Sequence, residues 1–199
     1  MDINDLIRLD SLWQETHPYI VAQIMEGYRR QSGKVLELGP FAGSIAMELA
    51  RLYPELEITI ADESSEVIDY IEKRLSAADF ARDITVKKSD FNNFAFSDCQ
   101  FDLVIFRGAF FFLRDKEKLL TEIWRVLKKG GFAFVGGGHG KGVPQEIINR
   151  IAGELRQLHR KLGGRWLSIS ELQEIVNQSQ LADNCNITEE GGAWLNIRK

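Results

Sequence analysis

Two cysteines, Cys99 and Cys185, are the only thiols in this 199-residue chain. They stand far apart, form no C-x-x-C pair and have no histidine at ligand spacing. Neither a disulfide framework nor a metal site is expected, and a reducing, cytoplasmic location is. Positive charge is not in excess either: 25 Lys and Arg face 29 Asp and Glu, a formal net charge of −4. That balance lacks the basic stripe of a phosphate-tracking protein, so nucleic acid is not an expected partner. Long apolar runs are missing as well. Nothing approaches the roughly eighteen consecutive apolar residues of a membrane span, and the N-terminal MDINDLIRLD is acidic and opens no signal-like stretch. Neither secretion nor a membrane partner is expected. No repeat, low-complexity stretch or long linker divides the chain, and 44% hydrophobic residues suffice for a core without covalent staples. Residues 1–199 read as one domain.

What is present is an alternation of short β-branched runs with amphipathic helical segments, which predicts an α/β fold. The first thirty residues read as helical: Pro18 suits a first helical turn, and Ile20, Ile24 and Tyr28 repeat at four-residue spacing. Residues 1–31 are taken as a helical cover, and 32–199 as the core. The run from Lys34 to Leu38 reads as a buried strand, followed by a glycine turn and a helix lined by Ile45, Leu49 and Leu52. A second strand, Glu57 to Ala61, ends at Asp62-Glu63, and Ser64 or Ser65 caps a helix burying Val67, Ile71 and Leu75. Further strands are expected at Ile84 to Lys88, Phe101 to Phe106 and Phe132 to Val135. A helix is expected over 115–129, with Lys128 and Lys129 at its negative end and Gly130 as the stop. Gly136 to Gly142 reads as a flexible loop. A long helix follows Pro144, another starts near Ser168 with the capping box Ser168-x-x-Glu171, and residues 184–189 and 193–198 form a closing antiparallel hairpin.

In a doubly wound sheet the ligand lies beyond the carboxyl ends of the strands, where strand order reverses. Marked residues stand at four such ends. After Glu37 comes Gly39-Pro40-Phe41-Ala42-Gly43, whose glycines allow a sharp turn and close backbone approach ahead of a helix with free N–H groups. Asp62 follows about twenty residues later, placed to accept hydrogen bonds from ribose hydroxyls. Asp90 and Arg107-Gly108 complete the ring. The arrangement suits a nucleoside-containing cofactor. The turn has no G-x-G-x-x-G register for a dinucleotide, and neither it nor Gly140-Lys141-Gly142 carries the Gly-Lys-Ser/Thr ending of a P-loop.

Five ordered segments resemble the class I S-adenosylmethionine-dependent methyltransferases: Val35 to Gly43, Asp62, Ser89-Asp90-Phe91, Phe101 to Val104, and Trp124 to Gly131. The resemblance implies a Rossmann-like, doubly wound, seven-stranded and mostly parallel sheet closed by an antiparallel hairpin. It implies S-adenosylmethionine as cofactor and S-adenosylhomocysteine as product. Glu37 with Gly39, Pro40, Phe41, Ala42 and Gly43 would hold the methionine part, Asp62 the ribose and Asp90 the adenine amino group. Phe91 or Glu63 would flank the ring, with Arg107 and Gly108 beside the sulfonium. Phe41 departs from the pattern, standing where the family has its middle glycine; it either forms pocket wall or obstructs the cofactor.

No nucleophilic triad or metal cluster is evident, so no catalytic residue is assigned. The expected reaction is direct in-line methyl transfer to a small-molecule acceptor, which asks the protein chiefly to align the acceptor and exclude water. His139 is a candidate base facing the substrate, with the plain alternative of a solvated loop histidine. Tyr19, His17 and Trp13 either close over the pocket or pack the helix on the sheet. Phe110, the first of three adjacent phenylalanines, is a candidate for an apolar acceptor site. The rival reading, motivated by Phe41, is a catalytically inactive relative that binds S-adenosylmethionine or a protein partner.

Overall fold

The alternating segments fold into seven strands in one sheet, with helices on both faces, in a computed structural model that describes residues 2–39, 43–78 and 84–199. The strands are β1 (Ser32–Leu38), β2 (Glu55–Asp62), β3 (Ile84–Lys88), β4 (Phe101–Arg107), β5 (Leu127–Gly138), β6 (Cys185–Thr188) and β7 (Gly192–Arg198). Their order across the sheet is β3-β2-β1-β4-β5-β7-β6. β1 to β5 pair in parallel, and β7 runs against both β5 and β6. The expected doubly wound sheet with a closing antiparallel hairpin is the fold the chain adopts. β1 sits between β2 and β4, so strand order reverses at its carboxyl end and leaves a crevice there.

Side chains alternate along a strand, so Val35 of β1 points to one face and Leu36 and Leu38 to the other. The first face is covered by α1 (Ile3–Trp13), α2 (His17–Tyr28), α3 (Ser44–Leu52), α4 (Ser65–Ser76) and α6 (Gln145–Lys161); the second by α5 (Lys116–Val126) and α7 (Ile169–Gln178). The expected helical cover is thus two helices joined by a 3₁₀ turn at Gln14–Thr16. Asp2 caps α1 by accepting the Asn4 N–H at 2.8 Å. Leu6, Leu9 and Trp13 are buried on its inner face, each contributing about 1.5–3 kcal/mol. That burial fixes α1 against the crevice.

Two boundaries differ from the sequence reading. α5 ends at Val126 rather than 129, because Leu127 turns extended and pairs with Phe101 of β4. Lys128 therefore leaves the helix and pairs with Asp102 at 2.5 Å. Gly136 to Gly138, expected in a loop, extend β5 and pair with Trp194, Ala193 and Gly192 of β7. A Cβ on Gly136, at φ 135°, would lie 2.1 Å from the Ala193 carbonyl oxygen. The glycines are there to let two backbones meet. The Ser168-Glu171 capping box forms as expected, and Ser64, not Ser65, caps α4.

Candidate functional site

The end of β1 delivers Glu37, 2% exposed, beneath the start of α3. Its Oε2 accepts the N–H of Gly43 at 3.3 Å and of Ala46 at 2.7 Å, two donors that a helix start leaves unpaired. A strand carboxylate therefore caps the helix that follows the glycine turn. Burial pushes its pKa up to about 7; the two N–H groups and Arg107 pull it down, and Asp10 adds to the rise.

Asp62 ends β2, 3% exposed. Its Oδ1 accepts the Ser64 N–H at 2.8 Å, while Oδ2 is buried with no hydrogen-bond partner. Burial pushes its pKa up to about 6, against the Ser64 N–H that lowers it. Asp62 lines a cavity of about 220 Å³ with Leu6, Glu63, Phe91, Ala109 and Leu113 among its walls. Glu63 Oε1 accepts the Phe91 N–H at 2.7 Å and so holds the segment after β3 against the end of β2. Phe91 is buried edge-on to Phe106. An acceptor oxygen left bare in a pocket walled by Ile3, Leu6, Val67, Phe91 and Leu113 on one hand and Glu63, Ser64 and Glu66 on the other matches a ligand carrying hydroxyl donors and a flat apolar group.

Arg107 ends β4, 3% exposed, with its guanidinium 4.8 Å over the Trp13 ring. Its Nε and Nη1 are buried without an acceptor. Burial lowers its pKa to about 10, opposed by the charges of Asp10 and Glu37, so it stays cationic at neutral pH. It lines a narrow second cavity with Trp13, Phe111, Phe112, His159 and Trp166. The space left is about 20 Å³, room for roughly one water. His159 stacks on Trp166 at 4.3 Å and 10°, and burial lowers its pKa. Phe112 borders both cavities, and α1 runs along both, with Leu6 at the first and Leu9 and Trp13 at the second.

Asp10 anchors that helix: Oδ2 accepts Ser44 Oγ at 2.6 Å and Arg74 Nη1 at 3.1 Å. Its Oδ1 lies 3.9 Å from His17 Nε2, too far for a hydrogen bond. Burial, with Arg107 and Arg74, drives the His17 pKa down to about 2. The contact is therefore between a carboxylate and a neutral imidazole.

Of the residues singled out from sequence, Glu37, Gly39, Gly43, Asp62, Glu63, Phe91, Arg107 and Gly108 gather at the carboxyl edge of β1, β2 and β4. Pro40, Phe41 and Ala42 lie outside the described residues. Asp90 is exposed, closes a local turn by accepting the Asn92 N–H at 2.7 Å, and lines neither cavity. Phe110 is fully buried in the core, and its neighbours Phe111 and Phe112 face the second cavity instead. His139 is half-buried, its N–H donated to Gly191 at 2.7 Å, and Tyr19 is half-buried on α2; neither lines the two cavities. Sequence reasoning missed Asp10, His159 and Trp166. Asp10 carried a signal, a carboxylate four residues after Leu6 and three before Trp13 on an apolar stripe. His159 carried a weaker one, four residues after Leu155 on the inner face of α6. Trp166 lies in the connection between α6 and α7 and carried none.

This sheet order, with β7 alone reversed and an acidic β2 end facing the crevice, defines a Rossmann-like methyltransferase fold. A family described as a methyltransferase domain matches residues 35–131. A demethylmenaquinone methyltransferase of Thermotoga maritima is 31% identical over 123 residues, 62% of this chain and 48% of that one. The chain spans about half the length of the curated relatives it matches. In fold, it superposes on a crystal structure from Methanococcus maripaludis assigned to the S-adenosyl-L-methionine-dependent methyltransferases, with a TM-score of 0.84 and 24% identity over 100% of this chain and 93% of that one. A methyltransferase of the same cofactor class from Aquifex aeolicus gives 0.71 and 18% over 99% of each chain. The fold is thus that of the class I S-adenosylmethionine-dependent methyltransferases, and residues 35–131 are similar to the methyltransferase-domain family.

Proposed function

We propose that this protein transfers a methyl group from S-adenosylmethionine to a small-molecule acceptor. The observation that carries the reading is the bare, buried Oδ2 of Asp62 on the wall of the first cavity. A ribose hydroxyl supplies the donor that oxygen lacks, and Phe91 and Leu113 offer apolar surface to an adenine ring. Glu37 acts one step removed, holding the start of α3 at Gly43 and Ala46. Gly108, at φ 76° between the cavities, keeps side-chain bulk away from the reacting centre. When bound, the cofactor supplies a methyl group already made electrophilic by its sulfonium, open to in-line displacement. The chain's own residues then have two tasks, to orient the acceptor and to keep water out. α1 does both in this reading, because Leu6 and Trp13 wall the two cavities at once.

The Thermotoga relative's acceptor is a demethylmenaquinone, which supports a small molecule rather than a polymer as acceptor here. Among the described residues no helix is long and apolar enough to cross a membrane. The reading takes residues 1–199 as one working domain in the cytoplasm. A second reading, cofactor binding without transfer, draws on the narrowness of the Arg107 cavity. Calorimetric titration with S-adenosylmethionine, S-adenosylhomocysteine and NAD, with Asp62→Ala as control, tests the first step. Micromolar binding of the first two, lost in the variant, supports the site; binding of neither overturns the methyltransferase reading. Release of S-adenosylhomocysteine with an added acceptor then separates transfer from mere binding.

A further inference from the structure

We propose that the acceptor is a flat aromatic carboxylate, and that the buried guanidinium of Arg107 pairs with its carboxylate. The proposal rests on the methyl-transfer reading and names the substrate class for the second cavity.

The first ground is an unmet charge. Arg107 is 3% exposed and both Nε and Nη1 lack an acceptor. Asp10 and Glu37 act on its charge from a distance, but neither hydrogen-bonds the guanidinium: Asp10 Oδ2 holds Ser44 and Arg74, Asp10 Oδ1 has no hydrogen-bond partner, and Glu37 holds the α3 amides. Burying a guanidinium with donors unmade is costly. A residue there for packing alone would be better replaced by Met or Leu, which fill the space without that cost. The arrangement is explained when a ligand brings the anion.

The second ground is the shape and chemistry of the space the guanidinium faces. Trp13, Phe111, Phe112 and Trp166 wall it, and the Gly137-Gly138 backbone forms part of the lining. Among the described residues, every lining side chain apart from Arg107 and His159 is apolar. Aromatic walls around a single buried cation select a flat apolar body with one anionic group. The present width admits no ring, so one wall must give way. Trp166 is the candidate: it is 51% exposed, outside any helix or strand, and held by stacking on His159 and a tilted contact with Phe111. Trp13 cannot leave so easily, because it is buried in the core that seats α1.

The test is a matched-pair binding measurement on the full chain. 2-Naphthoate and 2-naphthamide, and indole-3-carboxylate and its amide, differ in charge but little in shape. Calorimetry with wild-type protein, with and without saturating S-adenosylhomocysteine, should show at least one acid bound about tenfold more tightly than its amide. That preference should vanish in Arg107→Met, while S-adenosylhomocysteine affinity stays within about threefold. Equal binding of acid and amide, or binding of none of the four, overturns the proposal in the wild type alone, whether or not the variant folds. So does a preference that survives in Arg107→Met, or a large loss of S-adenosylhomocysteine affinity in it, which would assign the guanidinium to the cofactor. Failure of S-adenosylhomocysteine to bind wild-type protein sinks the methyl-transfer reading instead, and the acid-amide comparison without it still decides the charge preference.

Discussion

The guanidinium of Arg107, at the end of β4, lies 4.8 Å over the ring of Trp13, the last residue of α1. One contact thus ties the helical cover to the strand end where the sheet order reverses. Trp13→Ala removes a buried aromatic and the cation–π partner together, with an expected loss of about 3–5 kcal/mol. Trp13→Phe keeps a ring face over the guanidinium and should cost about half as much or less. Urea denaturation of the two variants checks this, and an equal loss in both would show that a phenyl ring restores neither the packing nor the contact with the guanidinium.

Asp62 should be a residue the fold tolerates at a cost. Its folded pKa, raised to about 6 by burial, exceeds its ordinary value, so the folded state holds the proton more tightly. The stability this gives is full below the unfolded pKa and is lost as pH rises through about 6. Asp62→Asn is therefore expected to be more stable than wild type near pH ~8, by on the order of 1–3 kcal/mol, with the gap closing toward pH ~4. The same variant should lose cofactor affinity. Wild-type S-adenosylhomocysteine affinity should weaken as pH falls below about 6, where the carboxylate gains a proton and loses accepting capacity. Melting curves and titrations across that range read both effects.

Glu37 is expected to behave as a helix cap placed on a strand. Glu37→Ala leaves the Gly43 and Ala46 N–H groups without their acceptor, a loss of about 1–3 kcal/mol. Glu37→Gln keeps an accepting oxygen and should restore most of it. Hydrogen exchange at the Ala46 amide is the local readout: faster in Ala, near wild type in Gln. Uniform protection in all three would remove the capping role.

His17 should make the protein sensitive to acid. Its pKa is driven down to about 2 by burial, with Arg107 and Arg74 nearby, so the folded state refuses a proton that the unfolded chain accepts near pH 6.5. Stability is lost as pH falls below that value, at up to about 1.4 kcal/mol per pH unit. Asp62 and Glu37 push the other way over the same range, so the comparison to make is wild type against His17→Asn. The variant should lose less stability between pH ~7 and ~4.5, and parallel curves would show that His17 finds a way to ionise in place.

Local rules in the sequence determined most of the fold. Short apolar runs with β-branched residues placed β1 to β4 within a few residues, because a strand buried in a parallel sheet leaves a compact apolar mark. Caps such as Ser64 and the Ser168-Glu171 box located helix starts, because an N–H left bare at a helix end needs a nearby oxygen. The acidic and glycine-rich strand ends marked where a ligand would sit, since a parallel sheet presents those ends together.

The tertiary structure decided what depends on partners distant in sequence. Leu127 to Lys129 looked helical by composition, yet pairing of Leu127 with Phe101 drew them into β5. Gly136 to Gly138 looked like a loop, yet β7 needed backbone without side chains to pair against. Of three adjacent phenylalanines, which two face a cavity was set by the 3₁₀ turn at Ala109–Phe112, which buries Phe110 and leaves Phe111 and Phe112 on the cavity wall. Asp10, His159 and Trp166 reach the site from α1, from the far end of α6 and from the connection after it; helical spacing marks the first two as inward-facing, but not that they meet at one site. Nor does sequence reveal that Arg107 is left without an acceptor: a charged side chain is normally solvated, and only the closure of Trp13, Phe112 and Trp166 around it removes the water.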